Sequence, residues 1–187
     1  MNSYLDEVAR LLEAVPRPEL EVIADRLWQA YRDGARIFTC GNGGSAAAAS
    51  HIVVDLAKGV DLPVGAPRFR AISLVDNVPA LTAYANDMGY ENVFSEPLRN
   101  LAEAGDVLLV VSGSGRSENV LRAMQVARDL GATAIALTGR DGGRTKELAD
   151  IRLVVPAQSM QQIEDAHLVI LHALYLELKA RAEAAAS

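Results

Sequence analysis

The sequence is short of cysteine and of aromatic residues, and each shortage narrows what the chain can be. Its 187 residues include a single cysteine, Cys40, so no disulfide can form within the chain. Aromatic residues make up 5% of the sequence although half of all residues are hydrophobic, so we expect aliphatic side chains to dominate the core. Cys40 ends an apolar run, where a buried thiol is a more common role than a reactive one.

Excess positive charge and long apolar runs are also missing. The chain carries 24 acidic against 18 basic residues, a net charge of −6, and lacks the basic stripe that nucleic-acid binding requires. No apolar run approaches the roughly 18 residues of a membrane span. The N-terminal residues also lack the basic-then-apolar pattern of a signal peptide. The composition therefore predicts one cytoplasmic domain with a reduced thiol.

Apolar runs alternate with helical patterns from residue 35 onwards. The runs are continuous rather than alternating with polar residues, which is typical of a parallel sheet covered on both faces. We therefore predict an α/β fold with a doubly wound, five-stranded parallel sheet in the flavodoxin-like strand order. The predicted strands are Arg36–Cys40, Arg70–Val75, Asp106–Ser112, Thr133–Thr138 and Asp150–Val155.

Helical patterns fill the segments between these strands and both ends of the chain. Two N-terminal helices, over 3–15 and 18–31, form an extension at 1–34 that precedes an α/β core at 35–158. A long last helix, about Met160–Ala182, occupies the segment 159–187, so we expect one domain over 1–187. The helices predicted between strands are Ser45–Lys58, Val78–Asn86, Glu91–Ala104, Ser117–Leu130 and Arg144–Leu148.

Two glycine-rich and serine-rich loops each connect a strand to a helix. The loop Ser112-Gly113-Ser114-Gly115-Arg116-Ser117 offers free backbone N–H groups, three hydroxyls and the positive end of a helix dipole, which suit a phosphate. Gly41-Asn42-Gly43-Gly44-Ser45 repeats the arrangement after the first strand. A single glycine turn can be merely a connection, and Ser117 alone can be an N-cap. Two such loops at strand ends predict a phosphorylated metabolite as ligand.

The three histidines of the chain lie on two of the predicted helices. His51 and Asp55, four residues apart, share one helical face, while Glu164, His167 and His172 lie on the last helix. A single helix histidine is usually structural, but two histidines and two acids can form a metal site or an acid/base pair.

Helix geometry restricts how the last helix can contribute to such a site. Glu164 and His172 are eight residues apart, about 12 Å along an ideal helix axis and roughly 80° apart in direction. One ion is therefore hardly within reach of both from one straight helix. Either the helix begins after Glu164 or two chains contribute, and we favour an oligomer with sites at subunit contacts.

Five motifs together resemble the phosphoheptose isomerase group of the SIS (sugar isomerase) domain family, and the resemblance covers nearly the whole chain. The group's enzymes interconvert sedoheptulose 7-phosphate and D-glycero-D-manno-heptose 7-phosphate; they are homotetramers with shared sites, and several bind zinc. The motifs are Gly41-Asn42-Gly43-Gly44-Ser45, Asn86-Asp87-Met88-Gly89-Tyr90, Gly105-Asp106-Val107-Leu108-Leu109, Ser112-Gly113-Ser114-Gly115-Arg116-Ser117 and Leu137-Thr138-Gly139-Arg140-Asp141-Gly142-Gly143.

The resemblance implies a role for individual residues. Asp55 and His172 stand at the catalytic positions, one as base and one as acid, with neither assignment fixed. One Zn²⁺ per subunit is expected on His51, Asp55, Glu164 and His172. The substrate-binding positions implied by the family pattern are Asn42, Gly43, Ser45, Asp87, Ser112, Gly113, Ser114, Ser117 and Glu164.

The chain also departs from the family pattern. Asp55 replaces a usual Glu, Glu164 replaces a usual Gln and Gly113 replaces a usual Thr, while Lys58 and Gly59 occupy the region where an arginine is expected. An acid at both 55 and 164 still gives two histidines and two oxygen ligands. We therefore predict an aldose–ketose isomerase; the alternatives are a non-catalytic phosphosugar binder or tetrameric adaptor, or an isomerase of another ketose phosphate.

Overall fold

The computed structural model describes residues 2–60 and 65–186, which build on a parallel sheet of five strands. The strand order is β2-β1-β3-β4-β5 and every neighbouring pair is parallel. This confirms the predicted doubly wound sheet and its flavodoxin-like order. The strands are β1 (Arg36–Cys40), β2 (Arg70–Ser73), β3 (Val107–Ser112), β4 (Thr133–Gly139) and β5 (Ile151–Val155).

In residues 2–60 and 65–186, seven α-helices surround the sheet. No helix in the described part of the chain combines the length and the apolar character that crossing a bilayer would need. The helices are α1 (Asn2–Glu13), α2 (Arg17–Asp33), α3 (Gly44–Val54), α4 (Val78–Met88), α5 (Ser95–Leu101), α6 (Glu118–Asp129) and α7 (Met160–Ala186).

Three predicted helices differ in detail from the observed ones. The helix expected to reach Lys58 changes after α3 into a π-helical turn, Asp55–Gly59. The one expected from Glu91 is a short 3₁₀ turn followed by α5, because Pro97 fits only in the first turn of a new helix. The segment expected as a helix from Arg144 is a 3₁₀ turn, Gly143–Glu147, which follows a left-handed glycine at 142.

The sheet is covered on both faces, which explains its continuous apolar strands. Every residue of β3 is buried. Val107, Leu109 and Val111 pack with α2, α3 and α7, whereas Leu108 and Val110 pack with α5 and α6. The N-terminal helices contribute to the first of these layers through Leu11 and Leu27, among others. The helical extension is therefore part of the packing of the α/β core.

The two glycine-rich loops lie side by side because β1 and β3 are neighbours. Cys40, the last residue of β1, pairs with Val110, two residues before the end of β3. The chain then leaves β1 for α3 on one face of the sheet and β3 for α6 on the other, which creates the crevice where doubly wound sheets bind ligands. Cys40 is fully buried and burial raises the pKa of its thiol, in keeping with a structural role.

Candidate active site

The serine loop, Ser112–Ser117, uses two of its backbone N–H groups in hydrogen bonds to its own hydroxyl oxygens, so these two are not free for a ligand, contrary to the prediction from the sequence. Ser112 Oγ accepts a hydrogen bond from the Gly115 N–H at 3.2 Å, and Ser114 Oγ accepts one from the Arg116 N–H at 3.3 Å. Each hydroxyl thus keeps its own proton to donate to a ligand. Ser117 occupies the N-cap position of α6, but its side chain makes no capping hydrogen bond. Capping therefore does not account for this third hydroxyl.

A pair of asparagine side chains ties the serine loop to the glycine loop, Gly41–Ser45. Asn42 Nδ2 donates to Asn119 Oδ1 at 3.0 Å, and Asn119 Nδ2 donates back to Asn42 Oδ1 at 2.8 Å. The Tyr90 hydroxyl also donates to Asn42 Oδ1, at 2.9 Å. Sequence reasoning missed Asn119 and the role of Tyr90, because nothing in their local motifs shows that they meet Asn42.

Both loops line one cleft of about 260 Å³. It contains every predicted substrate-binding residue except Asp87. Asp87 lies at the exposed end of α4, where its carboxylate accepts a hydrogen bond from the Asn86 side chain at 2.7 Å. The cleft is lined by Asn42, Gly43, Gly44, Ser45, Ser112, Gly113, Ser114, Ser117, Met160 and Glu164.

Glu164 places a carboxylate directly against the start of α3. A Cβ built on Gly44 would lie 2.7 Å from one carboxylate oxygen of Glu164, so only glycine allows this approach. The N-terminus of a helix carries unpaired N–H groups and a partial positive charge, which favour an anion. The glycine loop therefore already faces a carboxylate of the protein, whereas the serine loop presents hydroxyl donors.

Further along the same two helices, two imidazoles and a carboxylate converge. His51 Nε2 lies 2.9 Å from His172 Nε2, and Asp55 Oδ2 lies 3.4 Å and 3.9 Å from these two nitrogens. The close approach of His51 and Asp55 confirms that they share a helical face. Within the part of the chain that the structure describes, Asp55 Oδ2 is inaccessible to solvent and has no hydrogen-bond partner, although both histidine side chains remain nearly half exposed.

These three side chains suit a zinc ion. Zinc takes imidazole and carboxylate ligands at about 2.0–2.1 Å in tetrahedral geometry, which places neighbouring ligand atoms about 3.3 Å apart. The three separations in the structure lie on either side of that value. The unpartnered buried oxygen of Asp55 is the atom that most needs a cation.

Glu164 stands apart from this group of three within one chain. Among the described residues, the ligand atoms that converge are those of His51, Asp55 and His172. Because α7 is continuous from Met160, the possibility that the helix begins after Glu164 is excluded. A fourth ligand from position 164 would have to come from another subunit, and that role stays a prediction.

Comparison with known proteins agrees with this geometry. Residues 3–139 match the SIS domain family. The chain is 44% identical to a phosphoheptose isomerase of Mycobacterium tuberculosis over 88% of its own length and 80% of the relative's. It is 40% identical to that of Aliarcobacter butzleri, over 92% and 89%. A solved phosphoheptose isomerase from Neisseria gonorrhoeae superposes with a TM-score of 0.88 at 32% identity, covering 96% of both chains.

The chain belongs to the phosphoheptose isomerase group of the SIS domain family. Two glycines among the positions where it departs from that family's pattern lie against side chains of α7. A Cβ at Gly113 would meet Met160 Sδ, and a Cβ at Gly59 would meet the Tyr175 hydroxyl.

Proposed function

We propose that the chain isomerises sedoheptulose 7-phosphate to D-glycero-D-manno-heptose 7-phosphate through an enediol. The observation that carries this proposal is the buried carboxylate oxygen Oδ2 of Asp55 beside the imidazole of His172. That imidazole lies on the same helix as Glu164 of the cleft, about 12 Å away along the helix axis. Met160, which lies against the serine loop, is four residues further from His172 along α7, so the sugar would bridge the phosphate-binding loops of one subunit and the acid and imidazole of a neighbouring subunit.

The serine loop supplies the phosphate site in this proposal. Ser112, Ser114 and Ser117 contribute hydroxyl donors at the positive end of the α6 dipole. Glu164 sits at the start of α3 and would repel a phosphate there, so the anion goes to the serine loop and Glu164 is left to accept hydrogen bonds from sugar hydroxyls. Binding energy at the phosphate end orients the reacting carbons.

Asp55 and His172 carry the proton transfers. One takes a proton from the terminal hydroxymethyl carbon while the other donates a proton to the neighbouring carbonyl oxygen, which gives the enediol. Protonation of the former carbonyl carbon and loss of the terminal hydroxyl proton then give the aldehyde. A carboxylate and an imidazole both exchange protons near neutral pH, so the pair serves in either direction.

A zinc ion fits the donor set of His51, Asp55 and His172, and we propose Zn²⁺ as the cofactor. When bound, it would polarise the sugar carbonyl and the adjacent hydroxyl. The fourth ligand, Glu164, would be contributed by a second subunit of a homotetramer. We also propose that residues 1–187 form a single SIS domain and that the protein acts in the cytoplasm.

The deciding experiment is a turnover assay on ketose phosphates of five to eight carbons, with and without a chelator. We expect sedoheptulose 7-phosphate to react fastest, and the activity to disappear with the chelator and return with added Zn²⁺. Binding of these sugars without turnover of any of them, in the zinc-loaded protein, would reject the isomerase and leave a non-catalytic phosphosugar binder.

The catalytic assignment is tested by Asp55→Asn and His172→Ala. Each change should lower kcat by about 10²–10⁴-fold, the usual contribution of a positioned acid or base. Asp129→Asn is a matched control, because Asp129 ends α6 and its carboxylate accepts a hydrogen bond from Gln125 at the surface. Thermal unfolding should show that all three variants fold. Wild-type turnover by both site variants would refute the assignment.

A further inference from the structure

A tyrosine on α7 contacts the turn that carries Asp55. The Tyr175 hydroxyl donates a hydrogen bond to the Gly59 carbonyl oxygen at 2.9 Å, in a partly buried position. Gly59 is the last residue of the π-helical turn that begins at Asp55. Tyr175 follows His172 by three residues, so both project from the same side of α7. One hydrogen bond thus joins α7, which carries His172, to the turn that carries Asp55.

The absence of a side chain at Gly59 leaves room for this contact. Its backbone does not adopt the left-handed conformation that favours glycine. A Cβ at this position would instead lie 2.9 Å from the Tyr175 hydroxyl oxygen and 3.1 Å from the ring carbon that bears it. A glycine at 59 therefore leaves the space that the Tyr175 hydroxyl occupies.

The position of Asp55 depends on that turn. Asp55 Oδ2 has no hydrogen-bond partner among the described residues, so the backbone of the turn and the neighbouring imidazoles determine where it points. π-Helical turns are rare and often occur at functional sites, and their terminal carbonyl groups lack partners within the helix. Tyr175 supplies a partner to one of those carbonyl groups and thereby favours this turn over a regular α-helical one.

We propose that Tyr175 is a positioning residue that fixes the Asp55–Gly59 turn and so holds Asp55 beside His172. The hydroxyl acts at a distance from the reacting atoms, through the backbone of the turn. Its kinetic consequence rests on the proposed isomerase function, whereas its structural and metal-binding consequences do not depend on turnover.

Tyr175→Phe tests the proposal because it removes only the hydroxyl. We expect kcat to fall about tenfold and the affinity for Zn²⁺ to fall by a similar factor, as for other groups that orient metal ligands from outside. KM should stay within about twofold, since Tyr175 lies about four helical turns along α7 from Met160, the residue that packs on the serine loop. A crystal structure of the variant should show Asp55 Oδ2 displaced from its 3.9 Å approach to His172 Nε2.

Tyr31→Phe is the matched control. Tyr31 also donates its hydroxyl to a backbone carbonyl, that of Pro67 at 3.2 Å, and its ring packs against Trp28 and Phe69, away from Asp55 and His172 in its contacts. If the Tyr175 hydroxyl were purely structural, its removal would lower stability without a selective effect on kcat and zinc affinity. Only the Tyr175 change should alter kcat and zinc affinity.

Gly59→Ala gives a second route to the same contact. Its added methyl group must push the Tyr175 ring away, so we expect the same selective loss of kcat and zinc affinity. Combined with Tyr175→Phe, it should cost little more than either change alone, because both break one interaction.

Three results would overturn the proposal. These are wild-type kcat and zinc affinity in Tyr175→Phe, an equal loss in Tyr31→Phe, or an unmoved Asp55 in the variant's crystal structure. Absence of turnover in the wild-type protein would instead reject the isomerase function. In that case zinc affinity and the position of Asp55 still decide the role of Tyr175.

Discussion

His167 is the histidine that the active site does not use, and its burial links folding to pH. It is 1% exposed, and neither ring nitrogen has a hydrogen-bond partner. Burial lowers the pKa of His167 from 6.5 to about 4, and the Thr138 main chain, which favours the charged form, offsets only part of the shift. The folded protein therefore keeps this imidazole neutral where the unfolded chain is already protonated.

The sign of the resulting pH dependence follows from linkage. Between about pH 6.5 and pH 4 the unfolded state binds a proton that the folded state does not, so stability is complete above this window and is lost as pH falls through it. The full shift of the His167 pKa corresponds to about 3 kcal/mol of unfolding free energy. We expect His167→Gln to flatten the dependence of the unfolding free energy on pH between 5 and 7, measured in urea with chelator present. Parallel curves for wild type and variant would contradict this.

Single residues show where sequence reasoning succeeds and where it stops. Residue type and spacing predicted the serine hydroxyls of the loop and the pairing of His51 with Asp55, because both depend on local geometry. Asn119 and Tyr175 were not predicted as parts of the site. Their partners are 77 and 116 residues away along the chain, and only the fold brings them together.

Among the elements, α7 lies against both loops of the cleft and against the turn that carries Asp55, and each of these contacts is made at a glycine. Met160 packs on Gly113, Glu164 on Gly44 and Tyr175 on Gly59, so one helix contacts the serine loop, the glycine loop and the π-helical turn. The strands and their order were predictable from continuous apolar runs. The π-helical turn was not, since Asp55–Gly59 continues an ordinary helical pattern in sequence.

The contact between α7 and the serine loop makes a prediction about Gly113, where the family pattern has Thr. A Cβ at this position would collide with Met160 Sδ. Gly113→Thr alone should therefore destabilise the protein by about 1–3 kcal/mol, as overpacking usually does. Met160→Ala should relieve the clash, so that the double variant is more stable than Gly113→Thr alone in thermal unfolding. Additive losses in the double variant would show that Met160 is not the obstacle.

At the scale of the whole molecule, apolar surface remains on the outer side of α7. Leu168, Val169 and Leu176 are 36–60% exposed there, and Val22 on α2 is half exposed. A groove of about 330 Å³ between the N-terminal helices and α7 is lined largely by apolar side chains, including Leu12 and Val169. Exposed apolar area of this kind marks protein interfaces, and it lies on the helix that carries Glu164 and His172.

Assembly and activity should therefore be lost together. Four chains of 19.9 kDa give a particle of about 80 kDa, which light scattering after size-exclusion chromatography would measure. Val169→Glu places a charge in the groove and should lower both this mass and kcat, because we expect sites shared between subunits. Leu101→Glu is the control, since Leu101 on α5 is equally exposed at 45% and lies on the opposite face of the sheet. A fully active monomer would refute the shared site and, with it, a role for Glu164 as a ligand to the metal of a neighbouring subunit.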